Sequence, residues 1–379
     1  MNLTNHKPKN QREALLGLSL IDRLGIQRIR LLLQAIDHPA EIFTLSKSEL
    51  EQVNGIGPHT AELILSFDDW SAVDAELEKA QRLGAELVTY LDDNYPPLLR
   101  EIYDPPLLLW IKGNADALNR PGVAVVGTRR ATAYGRETAQ KLSGELAEKG
   151  LSIVSGLAFG VDAAAHKATV NVGGTTVAVL GSGIDVIYPQ KNAELAGEII
   201  ETGGAVITEF APGTPPDAGN FPERNRIVSG LTLGTLVVES GLKGGSMITA
   251  QSALMQNREV FVVPHSLKNV NGQGCNHLIK RGAGKLVQTV DDIIEELPLH
   301  ETVKLQGQES KSPQKASWKS LDLDEKSRQI CELLSEKPMH IDDLSEATGT
   351  PSHALLAKLL ELEMQECVRQ RAGKNFELA

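Results

Sequence analysis

A chain of 379 residues is long enough for about two or three domains. Its 41% hydrophobic and 23% charged residues are those of a globular protein. Its three cysteines, Cys275, Cys331 and Cys367, are scattered with no CxxC pair, which excludes a disulfide frame and a zinc knuckle and fits reduced thiols in a cytoplasm. The formal charge of −11 speaks against an all-over nucleic-acid-binding surface, but it is unevenly spread: residues 121–290 carry 15 Lys+Arg against 13 Asp+Glu, and the remainder 23 against 36. The centre is slightly basic, and screening over about 10 Å lets a local basic pocket hold phosphates on an acidic protein.

The polar start MNLTNHKPKNQ, and the interruption of the next apolar stretch by Asp22 and Arg23, predict neither a signal peptide nor a spanning helix. Residues 1–75 read as a helical domain with two similar units, Leu24–Ile36 and Val53–Leu65. The second has the helix–GIG–helix layout of a helix-hairpin-helix, in which Gly55 and Gly57 allow backbone N–H groups to approach a phosphate. The hairpin carries no lysine or arginine, so it serves either DNA contact or turn geometry alone. Residues 76–118 are expected to join the central domain through a helix near Asp74–Leu83, a strand at Glu86–Tyr90 and proline-broken segments.

From Gly122 to about Leu297 short apolar runs alternate with helical stretches. The expected strands are Val123–Val126, Leu151–Val154, Thr176–Leu180, Ala205–Thr208, Thr235–Val238, Glu259–Val263 and Lys285–Gln288. This alternation predicts an α/β fold with a doubly wound parallel sheet of Rossmann type. Ligands of such sheets bind beyond the carboxyl ends of the strands, so the residues that follow each strand matter most. After the first strand comes Gly127-Thr128-Arg129-Arg130, leading into a helix from about Tyr134 to Lys149. After the second come Ser155, Gly156 and Gly160. The third is followed by Gly181 and, beyond a Tyr-Pro pair, Gln190 and Lys191. The fourth leads to Arg224-Asn225-Arg226, and the fifth to Glu239, Lys243, Gly244, Gly245 and Ser246. A strand, a glycine turn and a helix N-terminus together aim unpaired N–H groups and a helix dipole at one point. Five such ends carrying glycines and cations predict a phosphate-bearing ligand.

Several residues admit two readings. Asp162 and His166 lie one helical turn apart, as an acid/base pair or as a hydrogen bond anchoring the loop. Glu239 can orient a sugar hydroxyl or anchor its neighbouring loop. Arg224 and Arg226 can bind phosphate or pair with Glu209 and Glu223. Ser246 can cap the helix that follows it. Residues 299–320 are polar and aperiodic, as in a linker. Residues 321–379 read as three helices, Leu323–Leu334, His340–Ala347 and Thr350–Leu362, followed by a hairpin of Glu366–Arg371 and Asn375–Leu378: a winged helix. Its third helix lacks the Arg, Asn or Gln that read base edges, so protein contact is expected, with Arg369, Arg371 and Lys374 available for weak phosphate contact.

The motifs VVGTRRATAYG, IVSGLAFGVDAAAH, VAVLGSGIDVIYPQKN, ITEFAPGTPP, FPERNRIVSGL, VVESGLKGGSMITAQSA and VFVVPHS…GCNHLIKRGA occur in the order and spacing of the DprA/Smf family. On these motifs the chain resembles that family over nearly its whole length, with a SAM-like domain before and a winged helix after an extended Rossmann domain at 76–298. The resemblance implies a cytoplasmic, homodimeric, non-enzymatic protein without cofactor or metal. It would bind and protect incoming single-stranded DNA during natural transformation and load the RecA recombinase, with single-strand-binding protein as a further partner. It also implies that the family's Gly-x-Arg motif falls on Gly127-Thr128-Arg129, making Arg129 the principal phosphate ligand. The family often carries a basic residue just beyond the Tyr-Pro pair; here Gln190 stands there and Lys191 follows. The fold also resembles the LOG-type phosphoribohydrolases, but their PGGxGTxxE order is absent from Glu239–Ser246.

Overall fold

Apolar runs that end in glycine or serine form the centre of a nine-stranded sheet in the computed structural model, which describes residues 8–299, 323–336, 339–364, 367–371 and 375–378. The chain divides into two compact units, Met1–Thr302 and Val303–Ala379. The strands are β1 (Ala85–Thr89), β2 (Leu108–Gly113), β3 (Gly122–Gly127), β4 (Ser152–Ser155), β5 (Thr176–Val179), β6 (Ala205–Thr208), β7 (Gly234–Glu239), β8 (Glu259–Val262) and β9 (Lys285–Leu286). They lie in the order β1-β2-β6-β5-β4-β3-β7-β8-β9. From β3 to β9 all pairings are parallel, whereas β1 and β2 add an antiparallel edge next to β6. This edge extends the parallel sheet that the sequence predicts. Strand β9 is two residues shorter than expected, although the Val287 amide still donates to the Val262 carbonyl at 3.0 Å.

Alternating residues of β3 face opposite cores. Val123 and Val125 pack with Ile153, Leu236 and Val238 on one side; Ala124 and Val126 pack with Val154, Val177 and Val237 on the other. Burial on both faces explains why these strands read as continuous apolar runs. The chain runs outward from β3 to β6 on one side and resumes at β7 on the other, so the topological switch point lies between β3 and β7.

The N-terminal helices are α1 (Gln11–Leu20), α2 (Ile26–Ala35), α3 (Pro39–Ile42), α4 (Lys47–Glu51), α5 (Pro58–Leu65) and α6 (Trp70–Arg82). Asn10 caps α1, a Ser46–Glu49 capping box starts α4, and Pro58 opens α5. Leu15, Leu16, Ile64 and Trp70 share one apolar core with Leu157, Ala178, Leu180 and Ile199 of the sheet region, and α6 runs through residue 75. The helical segment therefore packs as part of the same unit as the sheet. The short helix α7 (Pro97–Arg100) follows β1. The sheet is covered by α8 (Ala133–Glu148), α9 (Val161–Asn171), α10 (Ala193–Glu201), α11 (Asn220–Gly230), α12 (Gly245–Met255), α13 (Gln273–Lys280) and α14 (Asp291–Ile294).

The second unit contains α15 (Glu325–Glu336), β10 (Met339–His340), α16 (Ile341–Thr348), α17 (Ser352–Met364), β11 (Val368–Arg371) and β12 (Asn375–Leu378), with β12 between β10 and β11. The three expected helices are present, β11 and β12 pair antiparallel as the arms of the expected hairpin, and β10 adds a third strand; Glu366 and the expected turn at 372–374 lie outside the described residues. Lys358, the lysine of α17, is paired with Asp324 at 2.5 Å and Glu361 at 2.9 Å. The expected linker, apart from residue 299, and Lys374 lie outside the described residues. No helix among the described residues is long and apolar enough to cross a membrane.

Candidate nucleic-acid interface

A cleft of about 740 Å³ opens at the carboxyl ends of the central strands, beside the switch point. Its walls are the turn Gly127–Arg130 at the end of β3, Gly156, Ala158 and Asp162 after β4, Tyr188 after β5, Phe221, Arg224 and Asn225 on α11, and Gly244, Gly245, Ser246 and Thr249 at the start of α12. The turn after β3 carries the exposed cations. Arg129 and Arg130 are both exposed, and among the described residues neither enters a salt bridge. The Arg129 guanidinium lies 5.0 Å from the centre of the Phe221 ring, and the Phe221 and Tyr188 ring centres are 5.7 Å apart. All three residues line the cleft, with Phe221 in contact with both the cation and the second ring.

The turn itself is tightly held. The β3/β7 register slips between Val126 and Gly127, and the Thr128 amide donates to the Glu239 carbonyl at 2.7 Å. Thr132 caps α8 by accepting from the Gly135 amide at 3.1 Å. Gly160, at φ +81°, brings the β4–α9 loop against the turn, where a Cβ would overlap the Thr128 carbonyl. At the far wall Gly244 precedes α12 and gives it no side-chain cap, leaving the first N–H groups of the helix at the cleft. Ser246 is not that cap: it lies inside the helix and its hydroxyl donates to Ser240 Oγ at 2.8 Å.

Arg224 forms the floor. It is 4% exposed, and its Nη1 donates to the carbonyls of Gly156, at 3.0 Å, and Val179. Burial pulls its pKa down to about 10, opposed by Asp162 and reinforced by Arg129. It stays charged at neutral pH, a fixed cation behind the exposed one. Asp162 accepts from the Ala158 amide at 3.4 Å; burial raises its pKa and Arg224 opposes the rise. His166 Nδ1 lies 2.7 Å from Thr176 Oγ1, whose own proton goes to the Ile153 carbonyl at 2.6 Å, so the imidazole donates from Nδ1. Of the two readings for this pair, the structure shows loop and strand anchoring.

Burial pushes the His166 pKa down to about 3. An unfolded histidine titrates near 6.5, so on acidification the unfolded chain takes the proton first. The stabilisation is complete above pH 6.5 and is lost as pH falls toward 3. Between pH 8 and pH 5 the unfolding free energy should fall by about 2 kcal/mol through this residue. Urea melts of the wild type and His166→Gln across that range check this: the variant profile should be flatter.

Nine of the fifteen sequence-predicted residues line the cleft: Gly127, Thr128, Arg129, Gly156, Arg224, Asn225, Gly244, Gly245 and Ser246. Six do not. Ser155 is buried and donates to the Val125 carbonyl at 2.6 Å, tying β4 to β3. Gly160 and Gly181 act as close contacts, the latter against Phe221. Lys191 sits exposed in the turn before α10, outside the lining. Lys243 borders a neighbouring cavity of about 460 Å³ with Leu242, Met247 and His277. Arg226 is the clearest departure. Its guanidinium is bidentate on Glu209 at 2.6 and 2.7 Å and reaches Asp104 at 2.8 Å, so its charge is spent in a part-buried ion-pair cluster. Glu239 is likewise outside the lining, buried and anchoring the neighbouring loop through Thr132 and Asn269. Phe221 and Tyr188 were not anticipated, although Phe221 precedes Arg224 by three residues and so shares its helix face.

A glycine-lined cleft with cations and helix N-termini at the switch point of a doubly wound sheet defines a Rossmann-like protein built to hold an anionic ligand. Residues 86–298 match the family model described as DNA recombination-mediator protein A, and residues 313–374 match the DprA winged helix domain. Protein Smf of Escherichia coli (strain K12) is 37% identical over 318 residues, covering 83% of this chain and 82% of its own length. DNA processing protein DprA of Streptococcus pneumoniae is 46% identical over 206 residues, 54% of this chain and 72% of the relative. The X-ray structure of DNA processing protein A from Streptococcus pneumoniae superposes with a TM-score of 0.66 at 36% identity, covering 77% of this chain and 99% of that one. A structure of DNA processing protein A from Helicobacter pylori, described for its single-stranded DNA binding mode, gives a TM-score of 0.51 at 31% identity, with 56% and 94% covered. The chain belongs to the DprA/Smf family of DNA-processing proteins.

Proposed function

We propose that the cleft binds single-stranded DNA, with Arg129 gripping a phosphate and Phe221 and Tyr188 offering ring faces to bases. The observation that carries this reading is the exposed Arg129 guanidinium, without an ion-pair partner among the described residues, held beside a ring on a turn that lines the cleft. The related Helicobacter pylori protein, described as a single-stranded DNA binder, supports it. A cleft of about 740 Å³ encloses a nucleotide or two and excludes a duplex, whose bases are turned inward. Binding is then largely indifferent to sequence and steeply salt-dependent, with log K falling by about 0.7 per phosphate neutralised for each tenfold rise in salt. Gel shifts with single- and double-stranded oligonucleotides test this; preference for duplex would overturn it.

The family resemblance extends the proposal to protection of incoming strands, hand-over to the RecA recombinase in the presence of single-strand-binding protein, and a homodimer. Binding without turnover is favoured because the acids here are already engaged: Asp162, which lines the cleft, is held by the Ala158 amide beside Arg224, and Glu239 is fully buried on Thr132 and Asn269. Deleting residues 321–379 should leave most single-strand affinity intact, because the lysine of α17 is already paired with Asp324 and Glu361. Anisotropy titration of the truncated chain reads this out, and a collapse in affinity would move the site to the winged helix.

A further inference from the structure

Glu239 is fully buried, yet among the described residues it faces no lysine, arginine or histidine within ion-pair distance. A buried carboxylate is costly unless hydrogen bonds compensate it, and here every observed donor is neutral. Its carboxylate accepts from the Thr132 amide at 2.8 Å, the Thr132 hydroxyl at 3.0 Å and Asn269 Nδ2 at 3.0 Å. Its own carbonyl accepts from the Thr128 amide at 2.7 Å. One residue therefore pins both ends of the turn that carries Arg129 and Arg130.

Behind it stands a second tier. His265 Nε2 donates to the Val238 carbonyl at 2.8 Å, which leaves Nδ1 as the acceptor for Asn269 Nδ2 at 3.1 Å. The Asn269 amide thus has one hydrogen for His265 and one for Glu239. Asn271 Nδ2 adds a tie to the Arg130 carbonyl at 3.4 Å. Gly135 completes the fit, since a Cβ there would overlap the Glu239 carboxylate.

We propose that Glu239, held by Asn269 and His265, is the positioning residue that aims Arg129 into the cleft. The proposal rests on the single-strand reading above. A carboxylate is the side chain that suits this place, because all its contacts are donors and it is acceptor-only when ionised. Glutamine has nearly the same volume but must turn an NH2 toward Thr132 or Asn269, so one tie breaks.

The test is a salt titration of fluorescent oligothymidylate binding to the full chain, run for wild type, Glu239→Gln, Arg129→Ala and the double variant. Glu239→Gln should weaken binding about tenfold and lower the slope of log K against log salt by about 0.7, as if one phosphate contact were gone. In the Arg129→Ala background the same substitution should change affinity less than twofold, because the residue it positions is absent. Equal losses in both backgrounds, or an unchanged slope, would reduce Glu239 to general stability and overturn the proposal. If Glu239→Gln does not fold, Asn269→Ala carries the same cycle, since it removes one donor and leaves the acid in place. Failure of the wild type to bind single strands is a different result: it would defeat the single-strand reading itself.

Discussion

Arg129→Ala should weaken single-stranded DNA binding at least tenfold and remove about one phosphate from the salt dependence, a slope change of about 0.7. Two observations set this size. Arg129 is an exposed cation of the cleft without an ion-pair partner among the described residues, and its guanidinium lies 5.0 Å from the Phe221 ring centre. Arg224 cannot replace it, because its Nη1 is engaged by the Gly156 and Val179 carbonyls beneath the surface. Arg129→Lys should fall between wild type and alanine: the charge and its slope persist, but the planar guanidinium on the ring is lost. Isothermal titration at three salt concentrations separates these outcomes. An alanine variant with the wild-type slope would remove Arg129 from the site.

The largest stability effect is expected at Arg226, which the sequence placed among the DNA ligands. Removing its guanidinium strands Glu209, whose side chain is 9% exposed, and breaks the link to Asp104. Breaking one partner of a buried ion pair typically costs about 3–5 kcal/mol. Burial already raises the Glu209 pKa against the pull of Arg226, so without the arginine the acid is driven further toward its neutral form. The sign follows from the unfolded chain, where a glutamate titrates near about 4.3. The cost of burying or protonating Glu209 in Arg226→Ala sets in above that pH and is complete only above the raised folded-state pKa. As pH falls toward 4.3 both states become protonated and the cost shrinks. Chemical melts at pH 7.5 and pH 4.5 should therefore show a smaller deficit at the lower pH. Arg226→Met with Glu209→Leu should recover much of the loss, since apolar replacement of a whole buried pair is often near neutral. A uniform deficit at both pH values would contradict this reading of the cluster.

The parallel sheet was legible because its strands are buried on both faces and therefore read as apolar runs punctuated by glycine. The cleft was legible for the same reason: residues at successive strand ends must converge at the switch point, whatever lies between them. Charge alone was the weaker guide. Arg224 and Arg226 look alike two positions apart in a helix, but the partners that separate them come from Gly156, Glu209 and Asp104, up to 122 residues away. No local pattern reports such a pairing. Phe221 and Tyr188 carry no local signal in the sequence, because the chain is only 4% aromatic and both precede or open a helix within proline-rich loops. The shared core between the N-terminal helices and the sheet was hidden too, since amphipathic helices show that a face is covered but not by what.

Single-strand binding is proposed for one cleft, and ultraviolet cross-linking maps it directly. Oligothymidylate irradiated with the full chain, followed by mass spectrometry of the digested adducts, should place cross-links at Phe221 and Tyr188, with none in residues 321–379. Excess unlabelled single strand should compete the adducts away, and duplex should not. Adducts confined to the winged helix or to the hairpin around Gly55–Gly57, with the cleft aromatics unmodified, would contradict the claim that single-stranded DNA is held at the ends of the central strands.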